Sequence, residues 1–264
     1  NPEHSNFTLA RWGANNKWES KYSTSMYMNY PNVISTTSNG LLYLGVFFPE
    51  VSYVTGELLS LTSWLQAFNV VERSSTAPLI LLTSDTCGNS YFITKERDGH
   101  AGIRNYYQIN SSGEISPMSS TFELDNSAEN TLTTDYACNV YVGTDNGGIY
   151  RHNSTNPLSE WQLVVGLPNT PIKKILFNHS NQMYMMVKSS NVNKIATYQS
   201  NQTTYLDLPE TDPKITDFAI TYNGNIYTST ENSNVWQYDF SNEKWIYTKY
   251  GNGMGNSSVT MSAN

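Results

Sequence analysis

Asn225-Ile226-Tyr227-Thr228-Ser229-Thr230, then Val235-Trp236-Gln237-Tyr238, then Trp245-Ile246-Tyr247 are short runs rich in β-branched and aromatic residues. Glu231 to Asn234 and Ser241 to Glu243 separate them with turn-forming residues. Upstream, Asp217-Phe218-Ala219-Ile220 forms another such run and ends in Asn223-Gly224. Side chains of this kind fit a pleated surface, and Asn, Gly and Ser supply the turn conformations between them. About 40 residues therefore predict four short antiparallel strands joined by tight turns.

The same phrase recurs along the chain. Asn139 to Thr144, Ile149 to His152 and Trp161 to Val164 repeat it, as do Gln182 to Val187, Ile195 to Tyr198 and Thr204 to Leu206. Asn89 to Thr94 with Tyr106 to Ile109 is a third copy, and Gly40 to Gly45 opens a more divergent one. The tyrosines of the second strands are Tyr43, Tyr91, Tyr141, Tyr184 and Tyr227, spaced by 48, 50, 43 and 43 residues. A period of this length, with four strands per repeat, is the pattern of a β-propeller. An irregular β-sandwich is the alternative, but it would not repeat strand and turn order at a regular interval.

At the ends, Phe7 to Trp12 and Lys17 to Tyr22 look like the last two strands of a blade, and Ser258 to Met261 like a first strand. The expectation is one domain spanning residues 1–264, of about six four-stranded blades, the seam blade closed by both termini. Only 37 residues separate Trp245 from Trp18 around that seam (264 − 245 + 18), so five blades and a seam element is the alternative.

Composition narrows the function classes. Of 264 residues 31 are asparagine and 19 tyrosine, while only 14% are charged. The net charge of −7, with no basic stripe, argues against nucleic acid as a partner. Apolar runs such as Gly40 to Phe48 and Pro78 to Leu82 are far shorter than the roughly 20 residues of a membrane helix. No stretch reads as a signal peptide. The first residue is Asn rather than Met, which suggests a removed leader or a trimmed chain. Six Asn-x-Ser/Thr triplets, at Asn6, Asn110, Asn153, Asn178, Asn201 and Asn256, would matter only in a eukaryotic secretory setting.

The stretch Tyr141-Val142-Gly143-Thr144-Asp145-Asn146-Gly147-Gly148-Ile149-Tyr150-Arg151 resembles propellers of the BNR/Asp-box and plant-stability-factor type. In those families a Gly-Thr-x-x-Gly-Gly-[Val/Ile]-[Tyr/Trp] phrase links the second and third strands. The Asp-box itself has no counterpart in Asn153 to Trp161, so the resemblance implies fold alone. No sialidase-type arginine triad can be located. Repeat length and Tyr/Trp content also resemble five- and six-bladed propeller lectins, without a motif that matches residue by residue.

Ligands of propellers sit at a mouth of the central channel, where loops of several blades converge. Candidates at the ends of the first strands are Ser38-Asn39, Ser84-Asp85, Asp135-Tyr136, Asn178-His179 and Tyr222-Asn223, and repeated Asn and Asp there also fit plain turn chemistry. The segment Lys95 to Arg104, with Arg97 and Arg104, is the densest charge cluster and interrupts a blade. It is either a functional loop or a solvated excursion. Were the protein an enzyme, His100 would be the base, with Asp98 or Glu96 to orient it, although no nucleophile motif accompanies them. Trp236 is one of several aromatic residues outside the tyrosine register that could stack on a sugar or fill the space between blades. Phe47-Phe48-Pro49 reads as an apolar loop between second and third strands.

Cys87 and Cys138 precede their tyrosines by four and three residues in neighbouring repeats. They form a disulfide or remain two buried thiols. No His or Cys set shows zinc spacing, and the short Asp145-Asn146-Gly147 phrase reads as a turn. No cofactor is expected, calcium held by carboxylates of separate blades being the exception.

Three functional readings follow. The first is a secreted or cell-surface module that binds a glycan or a protein through the propeller mouth. The second is a propeller hydrolase or lyase with an acid–base or calcium site in the channel. The third is a structural interaction domain of a larger secreted or effector protein.

Overall fold

The computed structural model describes residues 8–12, 17–22, 30–38, 41–48, 55–61, 69–74, 79–95, 104–119, 129–167, 170–206, 214–221, 223–231 and 234–248. Every regular element among them is a strand, and the chain divides into two compact units, 1–121 and 122–264.

The first unit holds a hairpin of β1 (Thr8–Trp12) and β2 (Trp18–Tyr22), and two four-stranded antiparallel sheets. One sheet contains β3 (Tyr30–Thr36), β4 (Leu42–Phe48), β5 (Thr55–Leu61) and β6 (Asn69–Ser74). The other contains β7 (Leu79–Ser84), β8 (Ser90–Lys95), β9 (Arg104–Ile109) and β10 (Ile115–Pro117).

The second unit holds three such sheets. They are β11 (Glu129–Thr134), β12 (Val140–Thr144), β13 (Gly148–His152) and β14 (Gln162–Gly166); β15 (Ile172–Phe177), β16 (Met183–Ser189), β17 (Val192–Gln199) and β18 (Gln202–Leu206); and β19 (Ile215–Ile220), β20 (Ile226–Thr230), β21 (Val235–Asp239) and β22 (Lys244–Thr248). Each sheet is ordered as the chain runs, a four-stranded meander, and within each unit neighbouring sheets meet through their first strands. This is the β-propeller fold. The two segments expected at the N-terminal seam are β1 and β2, paired as a hairpin, while Ser258 to Met261 lies outside the described residues.

The repeat is reproduced at the level of single residues. Tyr43, Tyr91, Tyr141, Tyr184 and Tyr227 are each the second residue of a second strand. Their first-strand partners are Ser35, Thr83, Thr133, Leu176 and Ala219. Each first strand carries a β-bulge three residues before that partner, at Asn32, Ile80, Asn130, Lys173 and Thr216. A bulge bends and twists its strand, so the five first strands share one local distortion at one place.

Strand β16 is apolar without alternation because it lies between two neighbouring sheets. On β16, Tyr184 and Met186 join a core with Phe218, Ile226 and Trp245 of the following sheet. Met183, Met185 and Val187 face the other way, against Tyr141, Ile149 and Val165 of the preceding one. In the first unit Tyr43 packs on Leu79, Phe92 and Ile109 in the same manner. Phe47 and Phe48 belong to strand β4 and not to a loop, because pairing with Gly56 and Thr55 extends that hairpin to its end.

One glycine fixes how a blade joins the next. Gly147 has φ +85°, and a Cβ there would lie 1.8 Å from the Leu167 carbonyl oxygen. The main chain of Gly147 instead accepts a hydrogen bond from the Leu167 N–H at 2.9 Å. Gly147→Ala is expected to cost about 3 kcal/mol, from a strained backbone and a displaced connecting segment. Thermal unfolding should show the midpoint falling by about 6–12 °C, and an unchanged midpoint would remove this contact from the account.

Candidate functional site

The predicted site residues sort to two ends of the blades. Asp85, Asp135, His179 and Asn223 lie in turns that join first to second strands. Arg104 begins β9 and pairs with Lys95, at the end where second strands pass to third strands. Antiparallel strands put these two kinds of connection at opposite ends of a blade, so the candidates do not form one cluster. Trp236 lies on β21. Asn39, Glu96, Arg97, Asp98, His100 and Tyr222 are outside the described residues.

The first-to-second turn has one construction throughout. Asp85, Asp135, Asn178 and Thr221 each donate their main-chain N–H to, respectively, the carbonyl oxygens of Asn89, Asn139, Gln182 and Asn225. The fourth residue is left-handed in each: Gly88, Cys138, Asn181 and Gly224. Asp135 Oδ1 accepts from the N–H groups of Ala137 (3.0 Å) and Asn139 (2.8 Å), and Oδ2 from Asn139 Nδ2 (2.8 Å) and Tyr141 Oη (3.0 Å). Asp85 repeats this with Cys87, Asn89 and Tyr91, whose hydroxyl is 2.7 Å away. In the next blade Asn178 takes the main-chain role and Tyr184 donates to Gln182 instead. Burial, then the charge and hydrogen bond of Asp135, push the Tyr141 hydroxyl well above its ordinary range. Asp85 and Asp135 are thus buried acceptors for their own turns and their own tyrosines.

With the turn held by its first residue, the second and third residues point to other uses. Tyr136 and His179, the second residues of adjacent blades, meet edge to face at 5.1 Å between ring centres. The Tyr136 N–H also donates to Asn181 Oδ1 at 2.7 Å. His179, Ser180 and Asn181 are exposed and Tyr136 half-buried. The structure therefore joins a predicted candidate, His179, to Tyr136 and to Asn181.

The opposite end of the second unit carries inter-blade polar links that the sequence pattern does not announce. Asp145, in the turn between β12 and β13, accepts from Asn130 Nδ2 at 2.6 Å and from Lys173 Nζ at 3.2 Å. Asn130 and Lys173 are the bulge residues of β11 and β15. Lys174 Nζ lies 2.7 Å from Asp217 Oδ1 and 2.9 Å from the Phe218 carbonyl oxygen. Consecutive lysines in the innermost strand Ile172–Phe177 were the available signal, since charges are rare in such a strand. Both carboxylates already hold an ammonium, so calcium at either would have to displace a lysine.

Trp236 pairs across strands with Tyr247, ring centres 5.3 Å apart, and the Tyr247 hydroxyl donates to Asn234 Oδ1 at 3.3 Å. Trp236 also packs against the core beneath, while Tyr247 is half exposed.

No protein-family model matches the chain. No curated protein matches it either. Solved structures do. A streptogramin B lyase is similar with a TM-score of 0.63 at 12% identity, over 88% of this chain and 72% of that one. YCF48 bound to D1 peptide has a TM-score of 0.63 at 13% identity, over 91% and 75%. Puromycin hydrolase has a TM-score of 0.61 at 12% identity, over 92% of this chain and 42% of that one. At such identities the likeness establishes the β-propeller fold.

Lys174→Ala leaves the Asp217 carboxylate, 12% exposed, without its ammonium. The expected loss is about 3 kcal/mol, and a Lys174→Met, Asp217→Leu double variant should regain most of it. Chemical denaturation of the three proteins checks this, and a double variant no better than the single would place the loss in packing.

Proposed function

We propose that the chain is a binding module, secreted or displayed at a cell surface, that engages a glycan or a protein through the rim of first-to-second-strand turns. The observation that carries this is the Tyr136–His179–Asn181 group. Its aromatic rings and amide stand outside turns that Asp135 and Asn178 already hold. An aromatic face beside exposed donors and acceptors suits a ligand with an apolar face and many hydroxyl or amide groups. One similarly folded protein was solved with a bound peptide and others are named as a lyase and a hydrolase, so the fold alone favours no reading over the rest.

The test is a glycan array, with and without calcium, run on the wild type and on Tyr136→Ala, His179→Ala. Array hits lost at least about tenfold in the double variant, with an unchanged melting temperature, support the reading. Hits that survive in the double variant at full strength overturn the rim as the site. A wild type silent on glycans in both conditions transfers the rim to a protein partner.

We also propose one domain of six blades across residues 1–264, and a disulfide between Cys87 and Cys138. Both cysteines lie within equivalent turns, Cys87 at the third and Cys138 at the fourth place, and neither is a free thiol. An oxidised pair fits a secreted protein. Peptide mapping without reductant should find the two cysteine peptides joined, and alkylation of both thiols in the unreduced protein would refute the bond.

A further inference from the structure

His152 ends β13 and is 0% exposed. Its Nε2 lies 3.2 Å from Ser159 Oγ, and its ring lies 5.0 Å from that of Trp161. Nδ1 is buried without a well-aligned hydrogen-bond partner, while the main chain of Pro157 and Ser159 lies near the ring. Ser159 and Trp161 belong to the segment 153–161 that leads to β14. That segment shapes itself through local turns: Asn153 Oδ1 accepts from the Thr155 N–H and hydroxyl, and Asn156 Oδ1 from the Leu158 N–H. These bonds give the loop its form, while the contacts of Ser159 and Trp161 with the imidazole hold it to the blade. Leu158, at its crown, is 74% exposed.

We propose that His152 is an acid-sensitive latch: a neutral imidazole holds the 153–161 loop against its blade, and protonation releases it.

The physics lies in burial. Covering the ring lowers its pKa from the ordinary 6.5, and the nearby main chain of Pro157 and Ser159 opposes this more weakly. The titratable and charged groups of the surrounding elements are Asp135 before β12, Tyr141 on β12, Arg151 on β13 and Glu160 in the loop. None of them is among the causes acting on the imidazole. Asp135 is held by its own turn and Tyr141, and Arg151 Nη2 donates to Gln162 Oε1 at 3.2 Å. Among the described residues no carboxylate therefore offsets an imidazolium here. Above pH 6.5 both the closed and the open loop hold a neutral imidazole, so pH has no effect. Below it the open form binds the proton more readily, and the closed form loses stability until the depressed pKa is passed. An exposed imidazole regains its water, and the loop with Leu158 and Trp161 separates from the strand.

Hydrogen exchange of the 153–161 amides, corrected for intrinsic rates, tests this between about pH 7.5 and pH 5. Protection of the segment should fall about tenfold per pH unit of depression crossed, while β16 keeps its protection. In His152→Gln the segment should show no such pH dependence. Should that variant unfold, the wild-type imidazole titration by NMR decides instead. A midpoint below 6.5 that coincides with a change in Trp161 emission supports the latch. Protection constant down to pH 5, loss retained in His152→Gln, or an imidazole midpoint at or above 6.5 overturns it.

Discussion

The blades depend on one recurrent device, a five-residue turn whose first side chain supplies the hydrogen bonds that the turn's own N–H groups need. In two blades that side chain is a buried aspartate, which also receives the hydroxyl of the second-strand tyrosine. A carboxylate inside a sheet of apolar strands is costly unless every lone pair is satisfied. Here the turn brings four donors to Asp135, and to Asp85 likewise. The aspartate thereby fixes the left-handed fourth residue, the start of the second strand and the depth of its tyrosine together. Where Asn178 replaces aspartate, the tyrosine hydroxyl goes to Gln182, so the site adapts by moving one bond rather than by abandoning the turn.

Much else is a consequence of repeating that unit. Register set at the turn runs five residues back to the bulge, and the bulge turns Asn130 and Lys173 toward Asp145. The second strand, placed by its tyrosine, is covered on both faces by neighbours. That is why Met183 to Val187 can be apolar throughout without violating strand alternation. The side chains at the second and third places of these turns are then released from holding the turn. Tyr136 and His179 occupy positions where the fold accepts many side chains, as Thr86 at the matching place shows. Such freedom is what a binding rim requires.

The strand pattern was legible because tyrosine spacing and Asn-Gly turns are local signals. The fold followed from them, down to the second-strand position of each tyrosine. The site was legible only in part. His179 was marked as a candidate from its place after Asn178, but its ring contact with Tyr136 and the amide of Asn181 arise from packing of adjacent blades, which no local pattern records. Asp85 and Asp135 looked alike to a ligand set and to turn caps, and the four short bonds to each identify the caps. Lys173 and Lys174 went unread, because their charge in an innermost strand is a signal only once the bulge that turns them to inter-blade use is known. His152 had no spacing partner, and its burial under Trp161 depends on a loop closing over it.

The claim beneath all of this is that the aspartate and the tyrosine act as one unit. A double-mutant cycle on Asp135→Ala and Tyr141→Phe, followed by chemical denaturation, measures that directly. A hydrogen bond between a buried hydroxyl and a carboxylate predicts a coupling of about 1.5–3 kcal/mol. A coupling below about 0.5 kcal/mol, within the scatter of independent sites, would mean that turn and strand are held separately, and that the repeat has another origin.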